Sequence, residues 1–179
     1  MVQNECVRIA DMIDTLHLDI QANGIAIITI NRPESRNALD LKSMRAFTGA
    51  IEVIAADPRL RVLIVTGAGD KAFCAGADLA EMDQQPTAEN GAAMIALMGD
   101  ALMTMERLTI PVIAAINGYA LGGGAEIAVA CDLRVVDAGV HLGFVQAKRG
   151  VVPGWGGGQR LLRLMGYARA LEILLTSRI

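Results

Sequence analysis

Ala72-Phe73-Cys74-Ala75-Gly76-Ala77-Asp78-Leu79 and Gly118-Tyr119-Ala120-Leu121-Gly122-Gly123-Gly124-Ala125-Glu126 are the two stretches on which the reading of this chain turns. Each follows a run patterned as a buried strand. Each puts small residues where a larger side chain would block a ligand from the backbone. The second opens a helix, whose free amides face out of its N-terminus and stabilise negative charge. Two such loops after two core strands offer two N–H donors to one developing oxyanion, with the Glu126 carboxylate three residues after Gly123. Removing one donor of this kind typically costs on the order of 3 kcal/mol of transition-state stabilisation. Tight strand–helix packing is the competing explanation for the glycines.

The same run argues against two other glycine-rich sites. A dinucleotide fingerprint needs G-x-G-x-x-G with an acidic residue about 20 positions later, and the spacing here differs. A phosphate loop needs Lys-Ser/Thr after its final glycine, and Ala125-Glu126 stands there instead.

Working outward, 179 residues suffice for one domain with a sizeable core. The hydrophobic fraction of 53%, carried by Ala, Ile, Val and Leu, suits β-branched strands packed against Ala/Leu helices, an α/β arrangement. A net charge of −3 gives no basic field for nucleic acid. Three widely spaced cysteines without CxxC argue against a disulfide scaffold or a metal site. They favour a reducing compartment, and the expected location is cytoplasmic. No apolar run is long enough to span a bilayer, and the mixed polar N-terminus is unlike a signal peptide. So apolar a chain has another outlet in burial between subunits.

Residues 1–13 read as a loose lead-in or short helix. Residues 16–21 alternate as a half-buried strand, Asn23-Gly24 signals a two-residue hairpin, and residues 25–30 form the partner. Asp40 is placed to cap a helix over residues 41–56, which Asp57-Pro58 stops. Residues 62–66 form a short buried strand. Residues 81–89 read as a polar loop, and a Met-rich helix follows over residues 91–107, with Met94, Leu97, Met98, Ala101, Leu102 and Met105 on one face. Strands are expected at 111–117 and 133–136, with a helix at 123–131 between them. A glycine-rich turn at 153–158 and two helical stretches close the chain. The assignment is a lead-in at 1–15 and one core domain at 16–179.

Beyond these patterns, the chain resembles the crotonase (enoyl-CoA hydratase/isomerase) superfamily. The resemblance is carried by Asn31-Arg32-Pro33 with Asn37-Ala38-Leu39, by 71–79, by Pro111 to Gly118, by Gly122 to Glu126, by Cys131-Asp132-Leu133-Arg134 and by Pro153-Gly154-Trp155-Gly156-Gly157. These come in family order and cover nearly all of the chain from residue 16. The resemblance implies an α/β crotonase (ClpP-like) fold of repeated ββα units around two sheets, lacking the usual C-terminal helices. It implies an acyl-CoA substrate, no cofactor beyond the coenzyme A of that substrate, no metal, and a trimer or dimer of trimers.

Carried over residue by residue, the family's oxyanion donors fall on the N–H groups of Ala77 and Gly123. Arg36, Ala38, Ala75, Gly76, Asp78, Leu79 and Gly122 fall where members hold the substrate and its CoA. Arg36 is placed to meet a phosphate, with an ordinary surface arginine as the other reading. Asp78 also suits a cap on the following turn. Hydratases of the family use two glutamates, and Glu126 matches the first. Gln146, four residues before Gly150, stands at the second. An amide can hydrogen-bond a water or acyl group but cannot exchange protons near neutral pH. One carboxylate still serves an isomerase, and an enolate cradle serves a decarboxylase. The stretch from Phe144 to Gly157 also resembles the ethylmalonyl/methylmalonyl-CoA decarboxylase branch. Where the chain stops, at Ile179, members continue into helices that cover the site, which implies a fragment or a short member. A non-catalytic CoA-binding member is the remaining alternative. His17, His141, Cys74 and Cys131 are read as packing or surface residues, and Trp155 as lining the acyl pocket or packing.

Overall fold

The computed structural model describes residues 14–84 and 86–179. The lead-in expected at 1–13, with Cys6, lies outside the described residues. From Leu16 onward the elements fall into successive strand–strand–helix units. β1 (Leu16–Ile20) and β2 (Ile25–Ile30) precede α1 (Leu41–Ala56). β3 (Val62–Gly67) and β4 (Ala72–Cys74) precede the single turn α2 (Leu79–Met82) and the long α3 (Ala88–Glu106). β5 (Val112–Ile116) and β6 (Tyr119–Leu121) precede α4 (Gly123–Ala130). β7 (Leu133–Val136) and β8 (Leu142–Gly143) precede a 3-10 turn at Gln146–Arg149, then α5 (Gly157–Met165) and α6 (Tyr167–Thr176).

In the last three units the two strands go to different sheets. The larger has the order β1-β2-β3-β5-β7, with only the β1–β2 pair antiparallel. The smaller, parallel, has the order β4-β6-β8. Two sheets are what the resemblance implies, but the residue patterning does not mark Ala72–Cys74 or Tyr119–Leu121 as strands of the second. Its strands are two or three residues long, too short for any alternation to register.

The long elements follow their patterns. β2 alternates, burying Ala26, Ile28 and Ile30. α1 starts where Asp40 accepts a hydrogen bond from the Ser43 N–H at 2.7 Å, and buries Met44, Phe47, Ala50, Ile51 and Ile54 at helical spacing. α4 is buried on every side from Gly124 to Ala130, the mark of a core helix. On α3, Met98, Ala101, Leu102 and Met105 are buried, with Met94 and Leu97 packed against the core.

Three local expectations are corrected. The hairpin is not a two-residue turn on Asn23-Gly24, which would need positive φ at both. Only Gly24 has it, at +86°, and the loop closes from the Gln21 N–H to the Ile25 carbonyl at 2.8 Å. The polar stretch 81–89 is not all loop: α2 runs to Met82, capped by Asp78. The Met-rich helix begins at Ala88, ahead of the expected start, because the Thr87 side chain accepts from the Asn90 N–H.

A carboxylate and two free amides at the start of a core helix

The site is built where β4, β6 and α4 meet. Gly122 lies at φ +55°, ψ −117°, a backbone that an L side chain rarely adopts, and this bend aims the chain from β6 into α4. Gly76, at φ +97°, brings the other loop alongside: a Cβ there would sit 2.8 Å from the Gly123 nitrogen. On Gly124 a Cβ would strike the Cys74 carbonyl. The glycines therefore serve close approach of two backbones, and that approach sets Gly76, the residue before Ala77, against Gly123. Among the described residues, neither the Ala77 nor the Gly123 N–H donates a hydrogen bond. Both residues are only partly buried.

Glu126, one turn into α4, is 2% exposed. Its Oε2 accepts from the backbone N–H groups of Trp155 and Gly157, each at 2.8 Å. Its Oε1 accepts from Gln146 Nε2 at 3.1 Å. Burial pushes the Glu126 carboxyl above its ordinary value, and the hydrogen bonds from Gly157, Trp155, Gln146 and Gly154 pull partly back. The result is a carboxylate that is held in place yet holds a proton more readily than a surface glutamate. Gln146 Oε1 is buried with no partner among the described residues.

The donors of Trp155 and Gly157 escaped the sequence reading. Backbone amides have no side-chain signature, and the glycines around Trp155 were the only signal. A Cβ on Gly157 would collide with the Glu126 side chain. The Trp155 ring, 3% exposed, packs against the Gly123 Cα, where a Cβ would meet it. The packing reading of Trp155 is thus met, at the start of the same helix.

The other anticipated residues are distributed around this centre. Ala75, Gly76 and Gly122 line the two converging loops, and the Ala75 N–H donates to the Arg36 carbonyl at 3.1 Å. Ala38 is buried beside Leu39, whose N–H donates to the Gly76 carbonyl at 2.8 Å. Arg36 sits at φ +54° with an exposed side chain and no ion pair among the described residues. Leu79 is 46% exposed on α2. Asp78 is committed to the scaffold: it caps α2 through the Ala80 N–H at 3.1 Å and pairs with Arg32 at 2.9 Å.

Over most of its length the chain is similar to known proteins. The family model for enoyl-CoA hydratase/isomerase matches residues 20–179. A short-chain-enoyl-CoA hydratase from Clostridium acetobutylicum is 41% identical over 154 residues, 86% of this chain and 59% of that protein. The mitochondrial methylglutaconyl-CoA hydratase of Mus musculus is 35% identical over 173 residues, 97% of this chain and 55% of that protein. The crystal structure of an enoyl-CoA hydratase from Bacillus anthracis superposes with a TM-score of 0.87 at 38% identity, covering 92% of this chain and 63% of that one. The chain thus spans less than two thirds of the length of each of these three relatives.

Proposed function

Since the chain belongs to the enoyl-CoA hydratase/isomerase family, we propose that it acts on acyl-CoA thioesters by stabilising an enolate, with Glu126 moving the proton. The observation that supports this reading is a buried, hydrogen-bonded carboxylate on a helix whose first residue, Gly123, lies against Gly76, with the Ala77 and Gly123 N–H groups making no hydrogen bond among the described residues. The thioester carbonyl would lie between the two N–H groups and gain negative charge as a proton leaves the adjacent carbon. Donors fixed in advance, in a site poor in water, stabilise such charge without reorganising. The CoA moiety would run past Arg36, Ala38, Ala75 and Leu79, with Arg36 meeting a phosphate.

The two oxygens of Glu126 have different duties. Oε2 already accepts two amides, so the proton is exchanged at Oε1. Oε1 is steered by Gln146 Nε2, while Gln146 Oε1 is left to accept from a water or an acyl group. An amide cannot act as the second acid/base group of a two-glutamate hydration. Transfer of a proton from one carbon of the acyl chain to another needs only Glu126, so a double-bond shift is the favoured reaction. Decarboxylation of a branched malonyl-CoA is the second reading, supported by the same Gln146, because loss of CO₂ generates the enolate without a base. A homo-oligomer belongs to this reading as well.

The test is a mass-spectrometric assay offering the chain crotonyl-CoA, a 3-enoyl-CoA and ethylmalonyl-CoA side by side. An isomerised 3-enoyl product without mass change is the expected result. Gain of water would restore hydration, and loss of CO₂ would favour the second reading. CoA binding without turnover of any of the three would replace the enzyme by a binding module.

A further inference from the structure

Glu126 is held by a turn, and something must hold the turn. The segment 153–158 carries the two amides that fix Oε2, and four of its six residues are glycines. So glycine-rich a turn does not stiffen itself. Its anchor comes from α5. Arg160 is 7% exposed, and its Nη1 donates to the Trp155 carbonyl at 2.6 Å. Its Nη2 donates to Glu106 Oε2, at the end of α3, at 2.7 Å. The guanidinium also lies against Gly156, where a Cβ would come within 2.7 Å of Nη1. Trp155 is therefore gripped at three points: its carbonyl by Arg160, its N–H by Glu126, and its ring by the backbone of Gly123.

We propose that Arg160, braced by Glu106, is a positioning residue that holds Trp155 so that the Glu126 carboxylate and the Gly123 amide keep their relative placement. Arg160 touches neither the reacting atoms nor Glu126; it acts through the Trp155 peptide. A guanidinium suits the task because its planar fork spans a carbonyl and a carboxylate from one rigid group. Behind the turn, Arg160 on α5 pairs with Glu106 on α3, and Lys148 and Arg149 follow Gln146 in its 3-10 turn. Cys74 on β4 is kept a neutral thiol by burial, which pushes it up to about 12. Loosening the turn weakens the two amide bonds that favour ionised Glu126, so the carboxyl should hold its proton to higher pH.

This inference rests on the role given above to Glu126, and its test separates the two. Trp155 is the only tryptophan, so intrinsic fluorescence reads the turn directly and without turnover. In the full chain, emission followed from pH 4 to 9 should show a transition that Glu126→Gln abolishes. Arg160→Met should move its midpoint upward by about half a pH unit or more. Under the proposed acyl-CoA turnover, the same variant should lose kcat about ten-fold or more with KM changed less than about three-fold. Arg160→Lys, which keeps the charge but loses the fork, should recover only part of both. A midpoint unmoved in Arg160→Met, or a transition surviving Glu126→Gln, overturns the assignment even if the chain is an active enzyme. If Arg160→Met does not fold, Glu106→Gln takes its place on the half-exposed side of the brace. A smaller upward move supports the proposal there, and none overturns it. Absent turnover with the fluorescence shifts intact would count against the proposed function while leaving the brace in place.

Discussion

At the scale of single residues, Glu126 carries the greatest consequence. Burial raises its carboxyl above its ordinary value while four hydrogen bonds oppose that rise. In the proposed role of base, it must be ionised. Activity should therefore fall on the acid side along a limb that lies above the ordinary glutamate value of about 4.3. The kcat–pH profile checks this; a limb at or below that value would mean another group moves the proton. Glu126→Gln should remove at least about a hundred-fold of kcat, in line with the usual worth of general acid–base catalysis. Its position beside a glycine donor was legible in the sequence, because a carboxylate in an otherwise apolar helix stands out. Its cradle was not. The Trp155 and Gly157 amides belong to a segment 29 and 31 residues away, and peptide N–H groups look the same in every sequence.

At the scale of elements, the site depends on how the β2–α1 connection is tied to the β3–β4 turn. Asn37, 0% exposed and at φ +56°, does the tying. Its Nδ2 donates to the carbonyls of Ala68 at 3.0 Å and Ala72 at 2.6 Å, and its Oδ1 accepts from the Arg32 N–H at 2.9 Å. Asparagine tolerates left-handed backbone better than most residues. Asn37→Ala would strand two carbonyls and an N–H, and should cost on the order of 3 kcal/mol. A urea denaturation series should record it as a lower midpoint at unchanged slope. A loss below about 1 kcal/mol would mean that water replaces the amide. Such a tie is hard to foresee: Asn37 reads as a turn residue, and its partners lie 31 and 35 residues on. The helices were easier, since caps such as Asp40 and the 3.6-residue period act within a few residues.

At the scale of the whole molecule, the large sheet ends on β7, where Leu133, Val135 and Val136 are 56%, 63% and 54% exposed. Val152, Tyr167 and Leu175 add further apolar surface near α5 and α6. Burial of this apolar surface is what the homo-oligomer proposed above would provide. Sedimentation velocity at micromolar concentration should give a mass that is a multiple of one chain; a lone monomer would contradict it. No helix among the described residues is long and apolar enough to cross a membrane. The sequence by itself determined the long elements, the α/β class and the small-residue loops around Ala77 and Gly123. Hydrophobic period and turn chemistry act locally, and glycine runs mark close backbone approach. Only the tertiary structure decided which short strands pair in the second sheet, the Asn37 tie, and the chain of contacts from Glu106 through Arg160 and Trp155 to Glu126. Each of these joins backbone groups far apart in the chain, and a backbone hydrogen bond leaves no trace in residue identity until the fold brings its partners together.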